Sequence, residues 1–154
     1  MRTCWVLDHP AHVRLLAPFV RSGSTSDVLI ATDRKEVHQL LDASEGVLPK
    51  RQHLWVQRPI GSKRVRIAWK RMRTVRSFLK KAQRSGGPIE RIVCIGSSLE
   101  LRAAKRLRIA KRWYISDTEV NHLAHRLAIG AATDVLIPTH WDASLDGGLL
   151  EKFR

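Results

Sequence analysis

The sequence predicts an α/β fold, with a mostly parallel sheet of about six strands carrying helices on both faces. Two observations support this. Short apolar runs of strand length alternate with stretches of helical periodicity along the whole chain. Within those runs the residues are almost continuously apolar, as in strands buried on both faces, rather than alternating with polar ones. The 154 residues suffice for one domain with a sizeable core, so a single domain over 1–154 is expected.

The elements follow in order. Thr3 to Leu7 is a first strand, followed by a polar turn and a helix from about Val13 to Arg21. Val28 to Thr32 is a second strand. Asp33-Arg34-Lys35-Glu36 then has capping-box spacing and opens a helix to about Ala43. His53 to Gln57 is a short third strand. A long helix is expected from Lys63 to about Gln83, capped by Ser62 and stopped by Gly86-Gly87-Pro88. Val65, Ala68, Trp69, Met72, Val75, Leu79 and Ala82 form its buried stripe, and its Arg and Lys residues, Arg71 included, occupy the remaining surface. Ile92 to Ile95, Trp113 to Ile115 and Val135 to Ile137 complete the sheet, each preceded by a helical stretch.

No run approaches the roughly 18 apolar residues of a membrane span, and the first residues read as a buried strand rather than a secretory signal. Cys4 and Cys94 lie in apolar runs and are expected as free buried thiols of a cytoplasmic protein. The net charge is +14, and every charged residue from Gly46 to Ile89 is basic. Such a surface attracts nucleic acid, anionic lipid headgroups or phosphorylated substrates.

Ligands of open parallel sheets bind beyond the carboxyl ends of the strands. Three loops there carry polar groups: Asp8-His9-Pro10-Ala11-His12, Gly96-Ser97-Ser98-Leu99-Glu100, and Ser116-Asp117-Thr118-Glu119 followed by Asn121, His122, His125 and Arg126. The geometric expectation is that His12, Ser97 and Asp117 share one edge of the sheet. A plainer reading competes: Ser97-x-x-Glu100 and Ser116-x-x-Glu119 both have capping-box spacing, and His125 reads as an exposed helix residue. No metal and no cofactor are expected. His9, His12, His122 and Asp117 lack metal-ligand spacing, and neither GxSxG, Walker A nor GxGxxG occurs.

At these loops the chain resembles the archaeal and bacterial proteins grouped as domain of unknown function 354, relatives of GT-B glycosyltransferases and UDP-N-acetylglucosamine 2-epimerases. Asp8-His9-Pro10-Ala11-His12-Val13 is similar to that family's first loop, Gly96-Ser97-Ser98-Leu99-Glu100-Leu101 to its Gly-Ser-Pro-Glu-Leu block, and Ser116-Asp117-Thr118-Glu119 to its Asp-Asp-Thr-Glu block. The likeness spans Trp5 to Thr139. Ser98 replaces the usual Pro, Ser116 a frequent Asp, and His9 a small polar residue.

The resemblance implies a Rossmann-like three-layer sandwich, the N-terminal and acceptor-side half of a GT-B fold, with the nucleotide-sugar half to follow. It implies His12 or Asp8 as the catalytic group. His9, Gly96, Ser97, Ser98, Glu100, Asp117, Thr118 and Glu119 would form the substrate site, the Gly96-Ser97-Ser98 turn receiving a phosphate. A nucleotide-sugar and a sugar acceptor are the implied partners, with transfer or epimerisation as the reaction. The alternative is a basic, non-catalytic domain that binds nucleic acid or an anionic membrane through the Lys63–Gln83 helix. The expected location is cytoplasmic, with peripheral attachment to the inner face of the membrane.

Overall fold

A computed structural model describes residues 1–44, 51–150 and 153. The chain alternates β1 (Thr3–Leu7), α1 (Pro10–Ser22), β2 (Val28–Thr32), α2 (Lys35–Ala43), β3 (Gln52–Val56), α3 (Arg64–Gly86), β4 (Arg91–Ile95), α4 (Ser98–Arg106), β5 (Lys111–Ile115), α5 (His122–Ile129) and β6 (Asp134–Leu136). All strand pairs are parallel and the order is β3-β2-β1-β4-β5-β6, a Rossmann-like doubly wound sheet. The order reverses between β1 and β4, which pair through Cys4–Ile92 and Val6–Cys94.

Strand periodicity sorts the core into two layers. Cys4, Val6, Val28, Ile30 and Ile92 face Val75 and Leu79 of α3 and Leu101 and Ala104 of α4. Trp5, Leu7, Leu29 and Val93 face Val13 and Leu16 of α1 and Val37 and Leu41 of α2. Both cysteines are free and fully buried.

The expected elements are all present, with shifts that have local causes. α1 begins at Pro10, whose fixed φ and missing N–H suit the first helical turn, and His9 caps it by accepting from the Ala11 amide. α2 is capped by Arg34 without a side-chain bond, because Asp33 holds His38 at 2.8 Å instead. Likewise Lys63, not Ser62, precedes α3, and no side chain caps it. β4 and β5 start earlier than their apolar runs because basic residues belong to them. Arg91 lies over the rings of Trp5 and Trp113, at 5.7 and 4.7 Å from their centroids, and covers the sheet with its own length.

The stripe on α3 needs the largest correction. Val65 is 70% and Trp69 59% exposed, whereas Arg71 is buried. The helix has 23 residues, roughly 35 Å, and a five-residue strand spans only about 17 Å. α3 runs from the end of β3 back to the start of β4, so its first turns overhang the carboxyl edge of the sheet and leave Val65 and Trp69 exposed.

The buried Arg71 crevice

Beyond the carboxyl ends of β1 and β4, where the strand order reverses and open parallel sheets have their crevice, the described residues form a hydrogen-bonded polar cluster. Its centre is Arg71, reaching in from α3. Its Nε donates to Glu100 Oε1 at 2.6 Å, its Nη2 to Asp8 Oδ1 at 3.0 Å and its Nη1 to the Gln57 carbonyl at 3.4 Å. Asp8 follows β1 directly. Its Oδ1 also accepts from Thr32 Oγ1, and its Oδ2 from Ser97 Oγ at 3.1 Å.

These contacts set the protonation states. Burial pushes the Asp8 carboxyl up, but the Arg71 charge and the bonds from Thr32, Arg71 and Ser97 outweigh it, and Asp8 ionises below the usual carboxylate range. For Glu100, fully enclosed, burial outweighs Arg71 and its carboxyl is pushed up. The guanidinium is disfavoured by burial too, yet the two carboxylates hold its proton more firmly than usual.

A second pair closes the crevice. His12, in the first turn of α1, places Nε2 3.2 Å from Asp117 Oδ2, on the loop after β5. The hydrogen bond with His12 is the main reason that the Asp117 carboxyl lies below its ordinary value, burial working against it. His12 Nδ1 is buried with no protein partner among the described residues, and so is Glu100 Oε2. Gly96 turns the chain at φ +62°, and a Cβ there would stand 3.5 Å from Asp117 Oδ1. Any side chain at that position would be strained by the backbone, although its Cβ would meet the carboxylate only in ordinary contact.

His12, Ser97 and Asp117 therefore lie at one edge around one crevice, with Asp8, Gly96 and Glu100. Ser98, buried, starts α4, and the exposed His9 ring lies 5.6 Å from that of His12. Thr118 and Glu119 are tied in through their carbonyls, which accept from Ser116 Oγ and pair with His125 Nε2.

The capping-box readings are overturned. Ser97 stands at the N-cap of α4, but its hydroxyl turns to Asp8 and the Ile95 carbonyl, while Glu100 turns to Arg71. Ser116 and Glu119 precede α5 without capping it, since Asn121 does so by accepting from the Ala124 amide. His125 is fully buried, with Nδ1 3.0 Å from the Tyr114 hydroxyl.

The group missed by the sequence reading is Arg71. Its signal was present: positions 68, 71, 75, 79 and 82 keep three- and four-residue spacing, so Arg71 lies on the stripe. Two carboxylates able to pair a buried guanidinium, Asp8 and Glu100, stood in loops already marked as polar.

The charged groups here are mostly acidic, with Asp8 and Glu100 on Arg71 and Asp117 on His12. A phosphate on the Gly96-Ser97-Ser98 turn would meet Asp8 and Asp117, which argues against the phosphate expectation. The loop after β1 offers Pro10 and Ala11 where dinucleotide sites need glycines for close backbone approach. Among the described residues no group of three His, Cys, Asp or Glu could hold a metal ion.

Fold and crevice together define a class: a Rossmann-like α/β domain with a carboxylate- and imidazole-lined crevice at its switch point. No protein-family model matches the chain, and a search of curated proteins finds no match either.

Proposed function

We propose that this domain is the acceptor-side half of a GT-B-type glycosyltransferase or nucleotide-sugar epimerase-like protein, and that its crevice receives the hydroxyls of a neutral sugar. One observation carries the reading. His12 is held by Asp117 at the switch point, and its other ring nitrogen is buried with no partner among the described residues. A buried polar atom left unmatched calls for a function. With Asp117 holding the Nε2 proton, Nδ1 is an acceptor suited to a substrate hydroxyl, the arrangement of a general base and its orienting carboxylate. Asp8 is the poorer candidate base. Its two oxygens already accept from Arg71, Thr32 and Ser97, and its proton affinity is depressed. Its role is to position Ser97 and Arg71.

The nucleotide-sugar would be gripped by a second Rossmann-like half. On this reading the domain works in the cytoplasm, at the inner face of a membrane to which its basic surface draws it. No helix among the described residues is long and apolar enough to cross a membrane.

The test is an amide-resolved NMR titration of residues 1–154 with neutral mono- and disaccharides and with UDP-sugars. Neutral sugars should shift the amides of His9 to His12, Gly96 to Ser98 and Asp117 to Glu119, and His12→Ala should remove the response. The domain alone should transfer no sugar. If no sugar perturbs these amides, or UDP alone binds the Gly96 turn more tightly than any sugar, the reading fails.

A further inference from the structure

The first turns of α3 present a surface that the crevice does not use. Val65 and Trp69, one turn apart, are 70% and 59% exposed, and Leu123 at the start of α5 is 70% exposed. A groove runs between them, floored by Ala68 of α3, Leu99 of α4 and Leu127 of α5. A second groove, along the far side of Trp69, is lined by Arg66, Lys70, Arg73 and Thr74, and a third by Met72, Arg73, Arg76 and Arg106 together with Trp69. No aspartate or glutamate lines any of the three. Large apolar side chains held out in water, flanked by cations and by no carboxylate in these grooves, match a surface that is apolar inside and anionic outside.

We propose that this overhang docks on a bilayer containing anionic phospholipids. Val65, Trp69 and Leu123 enter the headgroup region, and Arg66, Lys70 and Arg73 meet the lipid phosphates. Tryptophan suits the interface because its ring is amphipathic, and arginine and lysine stems bury against apolar surface while their charges reach the phosphates. Nucleic acid fits less well. Val65 and Leu123 cannot stack on bases, and Trp69 is the one aromatic on this surface. Because Leu99 and Ser98 belong to both the apolar groove and the start of α4, docking sets the mouth of the crevice at the lipid–water boundary. That last consequence rests on the sugar reading; the docking itself does not.

Co-sedimentation with phosphatidylcholine vesicles, with and without phosphatidylserine, tests the proposal at about 0.1 M and about 0.5 M salt. Wild type should bind only the serine-containing vesicles. Arg66→Gln/Lys70→Gln/Arg73→Gln should bind on the order of 100-fold more weakly, about fivefold for each charge removed. Val65→Ser/Trp69→Ser/Leu123→Ser should still be recruited at low salt but, unlike wild type, be released at high salt. The blue shift of tryptophan fluorescence on vesicle binding should vanish in Trp69→Phe. The side chains substituted in the docking variants are exposed, and circular dichroism should show each variant folded. His12→Ala should bind vesicles as wild type does, which separates a failure of docking from a failure of the sugar reading. Indifference of wild type to anionic vesicles, or unchanged binding by both triple variants, overturns the proposal. So does tighter binding to a single-stranded RNA that ignores the apolar variant.

Discussion

At the edge where the strands begin, arginine side chains face the carbonyls that end helices. At the edge where the strands end, the Asp8 and Glu100 carboxylates hold Arg71, and Asp117 holds His12. Arg2, just before β1, donates to Ser26, Ala82 and Gly87 carbonyls at 2.6 to 2.8 Å, and so ties the end of α3 to the strand that begins the chain. Arg51, just before β3, binds the carbonyls of Val20, Gly23 and Ser24 at the end of α1. Arg112 in β5 does the same for Ala131 after α5. Each meets orphan carbonyls at the negative end of a helix dipole, so positive charge there is structural. The difference teaches that the net charge of +14 is not a measure of attraction for a partner, because part of it is spent inside the fold. The exposed arginines and lysines of α3 are not used in this way and form a basic face.

The sharpest way to break this comparison is Arg71→Leu, which leaves the fully buried Glu100 and the part-exposed Asp8 without their shared cation. The expected loss is about 3–5 kcal/mol at neutral pH by urea unfolding. The contribution of Asp8 to the pH dependence should also change sign. In wild type, Asp8 ionises more readily folded than unfolded, so its contribution is complete above the ordinary carboxylate pKa of about 4 and disappears as pH falls through the lower folded value. In the variant both carboxyls are raised by burial, and stability should rise as pH falls toward about 4. A loss below about 1 kcal/mol would mean that charge does not hold this edge.

At the opposite edge, Arg2→Met should cost about 1–3 kcal/mol, for buried carbonyls left unmatched, with no pH dependence between about 4 and 7. Gly86→Ala should act through the same contact, since a Cβ there would come within 2.8 Å of the Arg2 guanidinium. Smaller again is Trp5→Phe, which removes the donor 3.0 Å from Asp27 Oδ2 but leaves the bond from the Thr3 amide; about 1 kcal/mol is expected from thermal unfolding. The smallest effect belongs to Asp33→Ala. It breaks the exposed pair with His38 and should change stability by less than about 1 kcal/mol.

The strands were legible because a doubly covered parallel sheet writes itself as short, continuous apolar runs, and all six appeared within a few residues of their observed bounds. The crevice was partly legible for a topological reason: loops after parallel strands share an edge, which is why Asp8, His12, Ser97 and Asp117 meet. Spacing rules failed where a distant partner competed with a local one. Ser97 and Glu100 have the spacing of a cap, but Asp8 and Arg71, 89 and 29 residues away along the chain, take their side chains instead. Periodicity failed on α3 because it records which side of a helix is apolar, not where the neighbouring layer stops.

The two cysteines give the centre of the sheet a built-in chemical clock. Cys4 and Cys94 lie on the adjacent strands β1 and β4, at the reversal of strand order, fully enclosed, with burial pushing both thiols away from their reactive thiolate form. A thiol reagent can reach them only when the middle of the domain opens. The rate at which the folded protein is labelled therefore reports, without any introduced probe, how often that middle comes apart.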